Sequence, residues 1–201
     1  MKHTRLRISA LSAFWLGNLA ALSGCASSPP VEYFTLEPME ALAATAPTLT
    51  GKVQVAQVHI PPSLDRKQMV RHSGAYTLDI SDQHRWSAPL DEMIRRVLTQ
   101  DLMQVLPRNS VVLANEPAPP GTRKIVVNIL EFAPGRSGTV QFEGTWSVIV
   151  ADSSAPGQSL DLKYSEPADA KDPVDQVKGM SRILGRAAIS MAQALAAPPV
   201  P

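Results

Sequence analysis

The chain predicts an α+β domain, with one mostly antiparallel or mixed sheet and two amphipathic helices packed on one face. Three observations carry that prediction. Between Leu90 and Leu106 apolar residues recur at spacings of three and four, and they do so again between Val174 and Leu195. From Thr139 to Val150, Val140, Phe142, Trp146, Val148 and Val150 alternate with Gln141, Glu143, Thr145 and Ser147. Such alternation belongs to an antiparallel sheet with one wet side.

Tyr33-Phe34-Thr35-Leu36 reads as a first short strand, rich in aromatic and β-branched residues. Glu37 to Thr50 turns to Ala, Thr and Pro with little periodicity and predicts a surface loop or a mobile insert. Gly51 opens a second strand through Val53, Val55 and Val58, closed by Ile60-Pro61-Pro62. Gln68 to Arg71 and Ala75 to Ile80 form two strands around His72-Ser73-Gly74. Ser87 is placed to cap the first helix, with Pro89 in its first turn and Asp91 and Glu92 favouring that end of the dipole. Leu90, Met93, Ile94, Val97, Leu98, Leu102, Val105 and Leu106 make its buried stripe, Arg95 and Arg96 face away, and Pro107 stops it.

Ser110 to Ala114 is a short strand followed by a proline-rich loop. Lys124 to Phe132 and Thr139 to Val150 make a hairpin through Pro134 to Gly138, and Gly144 marks a bulge or a close helix contact. After a turn at Asp152 to Gln158, Leu160, Leu162 and Tyr164 alternate through a last strand. Asp172 then caps the second helix, with Pro173 in its first position. Its stripe is Val174, Val177, Met180, Leu184, Ala187, Met191 and Leu195. Gly179, Gly185, Ala188 and Ala192 allow a close approach, within the monomer or between subunits.

Ahead of this domain, Lys2, Arg5 and Arg7 precede an apolar run from Ile8 to Leu22, shorter than the roughly 20 residues of a bilayer span. That is the pattern of an export signal. Leu22-Ser23-Gly24-Cys25 ends it and contains the chain's one cysteine. The four residues resemble the bacterial lipobox, in which the cysteine receives a thioether diacylglycerol, the leader is cut before it and the new amino terminus is acylated. Three acyl chains at about 0.8 kcal/mol per CH₂ make such an anchor effectively permanent. Ala26, in place of an aspartate, implies sorting to the outer membrane by the same resemblance. The expected organisation is a removed signal at 1–24, a lipid-anchored tether at 25–32, one periplasmic domain at 33–197 and a tail at 198–201. Ala26 to Pro30 predicts an extended tether, holding the body within some 20 to 25 Å of the membrane.

Without residues 1–24, 16 of the 19 basic residues face 18 acidic ones. A nearly neutral domain has no electrostatic reason to seek nucleic acid. With its cysteine committed to lipid the mature chain forms no internal disulfide, so packing holds the fold.

Chemical motifs are sparse. The sequence has no GxSxG, HExxH or P-loop, and no paired metal-ligand spacing, so it implies no metal or cofactor beyond the covalent lipid on Cys25. A Ser/His/Asp site assembled from Ser73, His72 and Asp79 is the one hydrolytic arrangement to weigh. Arg85-Trp86 is either a stacking pair, an interface anchor or the plug of a core.

His84-Arg85-Trp86-Ser87-Ala88-Pro89-Leu90, opening a helix that closes at Leu106-Pro107, resembles the ABC-type transport auxiliary lipoproteins. So do Tyr33 to Leu36 soon after the cysteine, Val55 to Pro61, and Val127 to Trp146 with its Gly144-Thr145-Trp146. The resemblance implies a non-catalytic, outer-membrane-anchored partner of MCE-domain tube proteins that carry lipid between two membranes. It also implies a homo-oligomer whose ring matches the tube. Arg85, Trp86, Pro89, Leu90 and Trp146 are the candidate interface or structural residues. A periplasmic lipid carrier and an assembly lipoprotein for an outer-membrane β-barrel are the alternatives.

Overall fold

The computed structural model describes residues 29–42, 48–150 and 159–197. Cys25, the turn at Asp152 to Gln158 and the tail at 198–201 lie outside the described residues. Within them the chain runs β1 (Glu32–Phe34), β2 (Val53–His59), β3 (Gln68–His72), β4 (Leu78–Trp86), α1 (Leu90–Val105), β5 (Val111–Val112), β6 (Arg123–Pro134), β7 (Thr139–Val150), β8 (Ser159–Pro167) and α2 (Pro173–Ala196). The class is the expected α+β, with two helices and mixed sheets.

The strands divide between two sheets. The larger has the order β5-β2-β6-β7-β8, with β2 parallel to both β5 and β6 and the rest antiparallel. The smaller has the order β1-β4-β3, with β1 parallel to β4 and β3 antiparallel to it. Both helices pack on the larger sheet and on each other, α1 against β2 and β5 and α2 against β6 to β8. All eight predicted stripe residues of the first helix are buried. So are Val140, Phe142, Trp146 and Val148 on the sheet's inner face.

Gly144 sits at a bulge. The β6–β7 register shifts between Ile129 and Glu131, leaving Leu130 as the extra residue. A Cβ on Gly144 would lie 2.5 Å from the Asn128 carbonyl oxygen, so only glycine fits there. Gly185 plays a different part on α2, where an added Cβ would fall 2.6 Å from Met39 Cγ. The close approach is therefore internal to the domain, and it seats the start of the Glu37 to Thr50 loop.

The second helix begins as expected, with Asp172 accepting from the Val174 N–H at 2.9 Å and Pro173 in the first turn. Its first stripe residue, Val174, is exposed instead of buried, because the helix meets the sheet only from Gln176 onward. At α1 the expected cap is corrected. Pro89 occupies the cap position without a side-chain bond. Ser87 instead ends the strand, donating its backbone N–H to the Phe34 carbonyl at 2.9 Å. β4 runs on past the expected strand end at Ile80, through Asp82 to Trp86, and leaves no residues for a separate capping turn.

Candidate docking surface

The predicted functional residues fall into three settings. Trp86, Leu90 and Trp146 are buried in the core, so neither tryptophan is available as a surface anchor. Pro89 is exposed at the start of α1. Arg85 is half-buried, and its Nε is buried without a hydrogen-bond partner among the described residues. The segment around Trp86 is a junction. Its N–H donates to the Lys67 carbonyl at 2.7 Å, while Ser87 holds β1, so one turn of chain ties β1, β3, β4 and α1 together.

Ser73, His72 and Asp79 do not assemble a relay. His72 Nε2 lies 3.0 Å from Glu131 Oε2, joining β3 to β6. Asp79 accepts from Arg71, whose Nη1 also donates to the Ala170 carbonyl at 2.9 Å. Ser73 Oγ donates to Thr77 Oγ1 at 3.0 Å, closing the β3–β4 turn. These groups line a shallow polar depression of about 210 Å³ with Gly135 and Arg136. A second, of about 240 Å³, lies between α1 and Leu113 to Asn115. Among the described residues no cluster of three His, Cys, Asp or Glu side chains is arranged to hold a metal, and no helix is long and apolar enough to cross a membrane.

One buried ionisable group stands apart from the surface. Asp101 on α1 is fully buried and its Oδ1 accepts the Met39 N–H at 3.0 Å, while Oδ2 has no partner among the described residues. Burial raises its pKa from 3.8 to about 6, against the lowering effect of that one bond. Together with the Glu37 N–H on Ser181 Oγ and Gln104 Nε2 on the Met39 carbonyl, it straps the chain after β1 across both helices.

The small sheet carries the surface that sequence reasoning does not single out. Tyr33 is 65% exposed, Tyr76 fully so, and Leu78 and Ile80 just over 40%. Tyr76, Leu78 and Ile80 alternate as a strand's one face does, but alternation does not say which face is covered. The register does. Ile80 pairs with Val70 and Arg85 with Gln68, so four residues of β4, Ser81 to His84, lie opposite the single residue Met69 of β3. The excess is taken up at Ser81, whose Oγ accepts from the N–H groups of Gln83 and His84. Side-chain parity flips across that bulge, placing Leu78, Ile80 and Arg85 on one face and Trp86 on the other. Tyr33, in register with Arg85, joins the first group.

Comparison with known proteins places this fold. The model of the family described as the ABC-type transport auxiliary lipoprotein component matches residues 34–192. The chain is 26% identical over 185 residues to the intermembrane transport lipoprotein PqiC of Escherichia coli, covering 89% of this chain and 95% of that one, and equally to PqiC of Shigella flexneri. Among solved structures, an uncharacterized protein superposes with a TM-score of 0.68 at 19% identity, covering 83% of this chain and 99% of that one. A Xanthomonas campestris protein gives 0.63 at 11% identity, covering 82% and 95%. The two share the fold. With β2 to β8, α1 and most of α2 inside the matched span, this chain belongs to the ABC-type transport auxiliary lipoprotein component family.

Proposed function

We propose that this chain is a lipoprotein acylated on Cys25, held at the periplasmic face of the outer membrane. There it serves as a non-catalytic docking subunit of an MCE-type intermembrane lipid transport system and supports envelope integrity. The observation that carries the reading is the family match over residues 34–192, joined to a likeness to PqiC along nearly the whole length of both chains. Supporting it, the leader and Leu22 to Cys25 have the lipobox order. Ser73, His72 and Asp79 are each committed to structural partners.

A homo-oligomeric ring suits this role, since a closed cyclic assembly is the natural cap for a symmetric tube. Neither nucleic acid nor a cofactor has a part in it. A carrier would need a deep apolar cavity, whereas the two depressions described above are shallow and small beside the roughly 300–1,000 Å³ of a typical ligand pocket.

The test is a gentle-detergent pull-down of the tagged, lipidated protein from its native envelope. Recovery of an MCE-domain protein is the expected result. It should be weakened by substitutions at the exposed Gln83, Ser87 and Pro89 that leave thermal unfolding unchanged. Recovery of a β-barrel protein, or of lipid with no protein partner, overturns the reading.

A further inference from the structure

We infer that the face of the small sheet carrying Tyr33, Leu78, Ile80 and Arg85, rimmed by Tyr76, rests on a phospholipid surface. The inference builds on the anchored reading above and assigns the part of the domain that touches the bilayer. Three observations argue for lipid over a protein occupant.

Chain direction is the first. β1 is parallel to β4, with Glu32 level with His84. The chain therefore enters β1 from the side of β4's first residues, where Leu78 and Ile80 lie. Eight residues from Cys25 to Glu32 span at most some 25 Å, so an acylated Cys25 keeps that end of the sheet near the membrane.

Composition is the second. Two tyrosines, two aliphatic side chains and one arginine form the combination suited to a membrane–water interface. There aromatic rings sit at headgroup depth and a cation meets phosphate. Charge is the third. The Arg85 guanidinium has a buried, unpartnered Nε and makes no ion pair among the described residues. The nearby acids turn elsewhere: Glu32 shares the opposite face with His84, and Asp79 binds Arg71 there. Asp82 lies in the bulge; on β3, Val70 and His72 stand level with Ile80 and Leu78 but are covered by the domain itself, Val70 in the core and His72 held by Glu131 of β6, so the open part of this face belongs to β1 and β4. The guanidinium charge, unpaired within the domain, thus matches a lipid phosphate, whose oxygens accept from guanidinium in charge-assisted bonds.

The experiment uses the full lipidated chain, reconstituted into vesicles of phosphatidylethanolamine and phosphatidylglycerol. An acylated Cys25 leaves no thiol, so Tyr76→Cys, Ile80→Cys and, at an exposed position of α2, Lys178→Cys each accept a single environment-sensitive fluorophore. Quenching by doxyl-labelled lipid several-fold stronger at positions 76 and 80 than at 178 is the expected result. A protein that floats with the vesicles while all three positions quench equally overturns the membrane contact and leaves the anchor standing. Labels at 76 and 80 that are shielded but insensitive to lipid quencher, and that crosslink to a second copy, overturn it in favour of a subunit interface. If the unsubstituted chain takes up label at Cys25 and fails to float, the anchored reading falls, and this one with it.

Discussion

Asp101 is costly to the fold, a carboxyl removed from water with one hydrogen bond among the described residues to compensate. In the unfolded chain it titrates near 3.8 and in the fold near 6, so between those values the folded state holds the extra proton. Stability therefore falls as pH rises through that window and stays lower above it. Asp101→Asn keeps an acceptor for the Met39 N–H and removes the titration. Urea unfolding at pH 4.5 and pH 7 should show the wild type losing about 2 kcal/mol more than the variant across that interval. An equal loss in both would mean the carboxyl is solvated in solution. Gly144 and Gly185 make a second contrast. An alanine at Gly144 meets the rigid Asn128 carbonyl, and one at Gly185 meets the flexible Met39 side chain. Gly144→Ala should cost about 3 kcal/mol, the upper end of overpacking. Gly185→Ala should cost under about 1 kcal/mol, since Met39 can swing away and helix propensity favours alanine. Chemical denaturation of the two variants ranks them directly.

At the scale of elements, Arg123 joins the end of α2 to the sheet. Its Nη1 donates to the Leu195 carbonyl at 2.8 Å and its Nη2 to the Thr50 carbonyl at 3.1 Å, where the last turn has no basic residue of its own. Arg123→Met keeps the aliphatic stem and removes both bonds. Amide exchange in the last turn of α2 should speed up several-fold while β6 and β7 stay protected, because frayed helix ends open without global unfolding. Both helices were legible in the sequence because their stripes repeat locally, and the β6–β7 hairpin because its strands alternate across a short turn. Gly144 declared the bulge by interrupting an apolar face. The partition into two sheets was not legible. β2 pairs with β6 and β1 with β4 across more than 45 residues, and no local pattern specifies such partners. Ser87 shows the same limit: its type and position suit a cap, but a long-range backbone bond to Phe34 claims it first. Tyr33, Leu78 and Ile80 were visible as strand residues, yet their common outward face depends on the Ser81 bulge. Val174 has the right spacing for the core and lies a turn too early to reach it.

For the whole molecule, the division of labour between anchor and domain leads to a separable outcome. The body is held by one apolar core that runs from Leu36 through both helices to Leu195, and the chain's one cysteine lies ahead of it in sequence. Packing that dense accounts for the stability of a domain without a disulfide, because buried apolar surface contributes about 25 cal/mol per Å². On the proposed reading, fold and membrane attachment are independent properties of this chain. Cys25→Ala removes the proposed acceptor for the thioether lipid and leaves every core residue from Leu36 to Leu195 in place. The variant should unfold at the same temperature as the detergent-solubilised wild type, with or without reductant, while moving from the membrane pellet to the soluble envelope fraction. A transition that dropped by several degrees would tie the tether to the core, against the separation of roles drawn here. A variant that stayed in the pellet after a high-salt wash would show that residues beyond the acyl chains supply most of the attachment. In that case Tyr33, Tyr76, Leu78 and Ile80 are the side chains to substitute next, since apolar contact survives salt that screens charge.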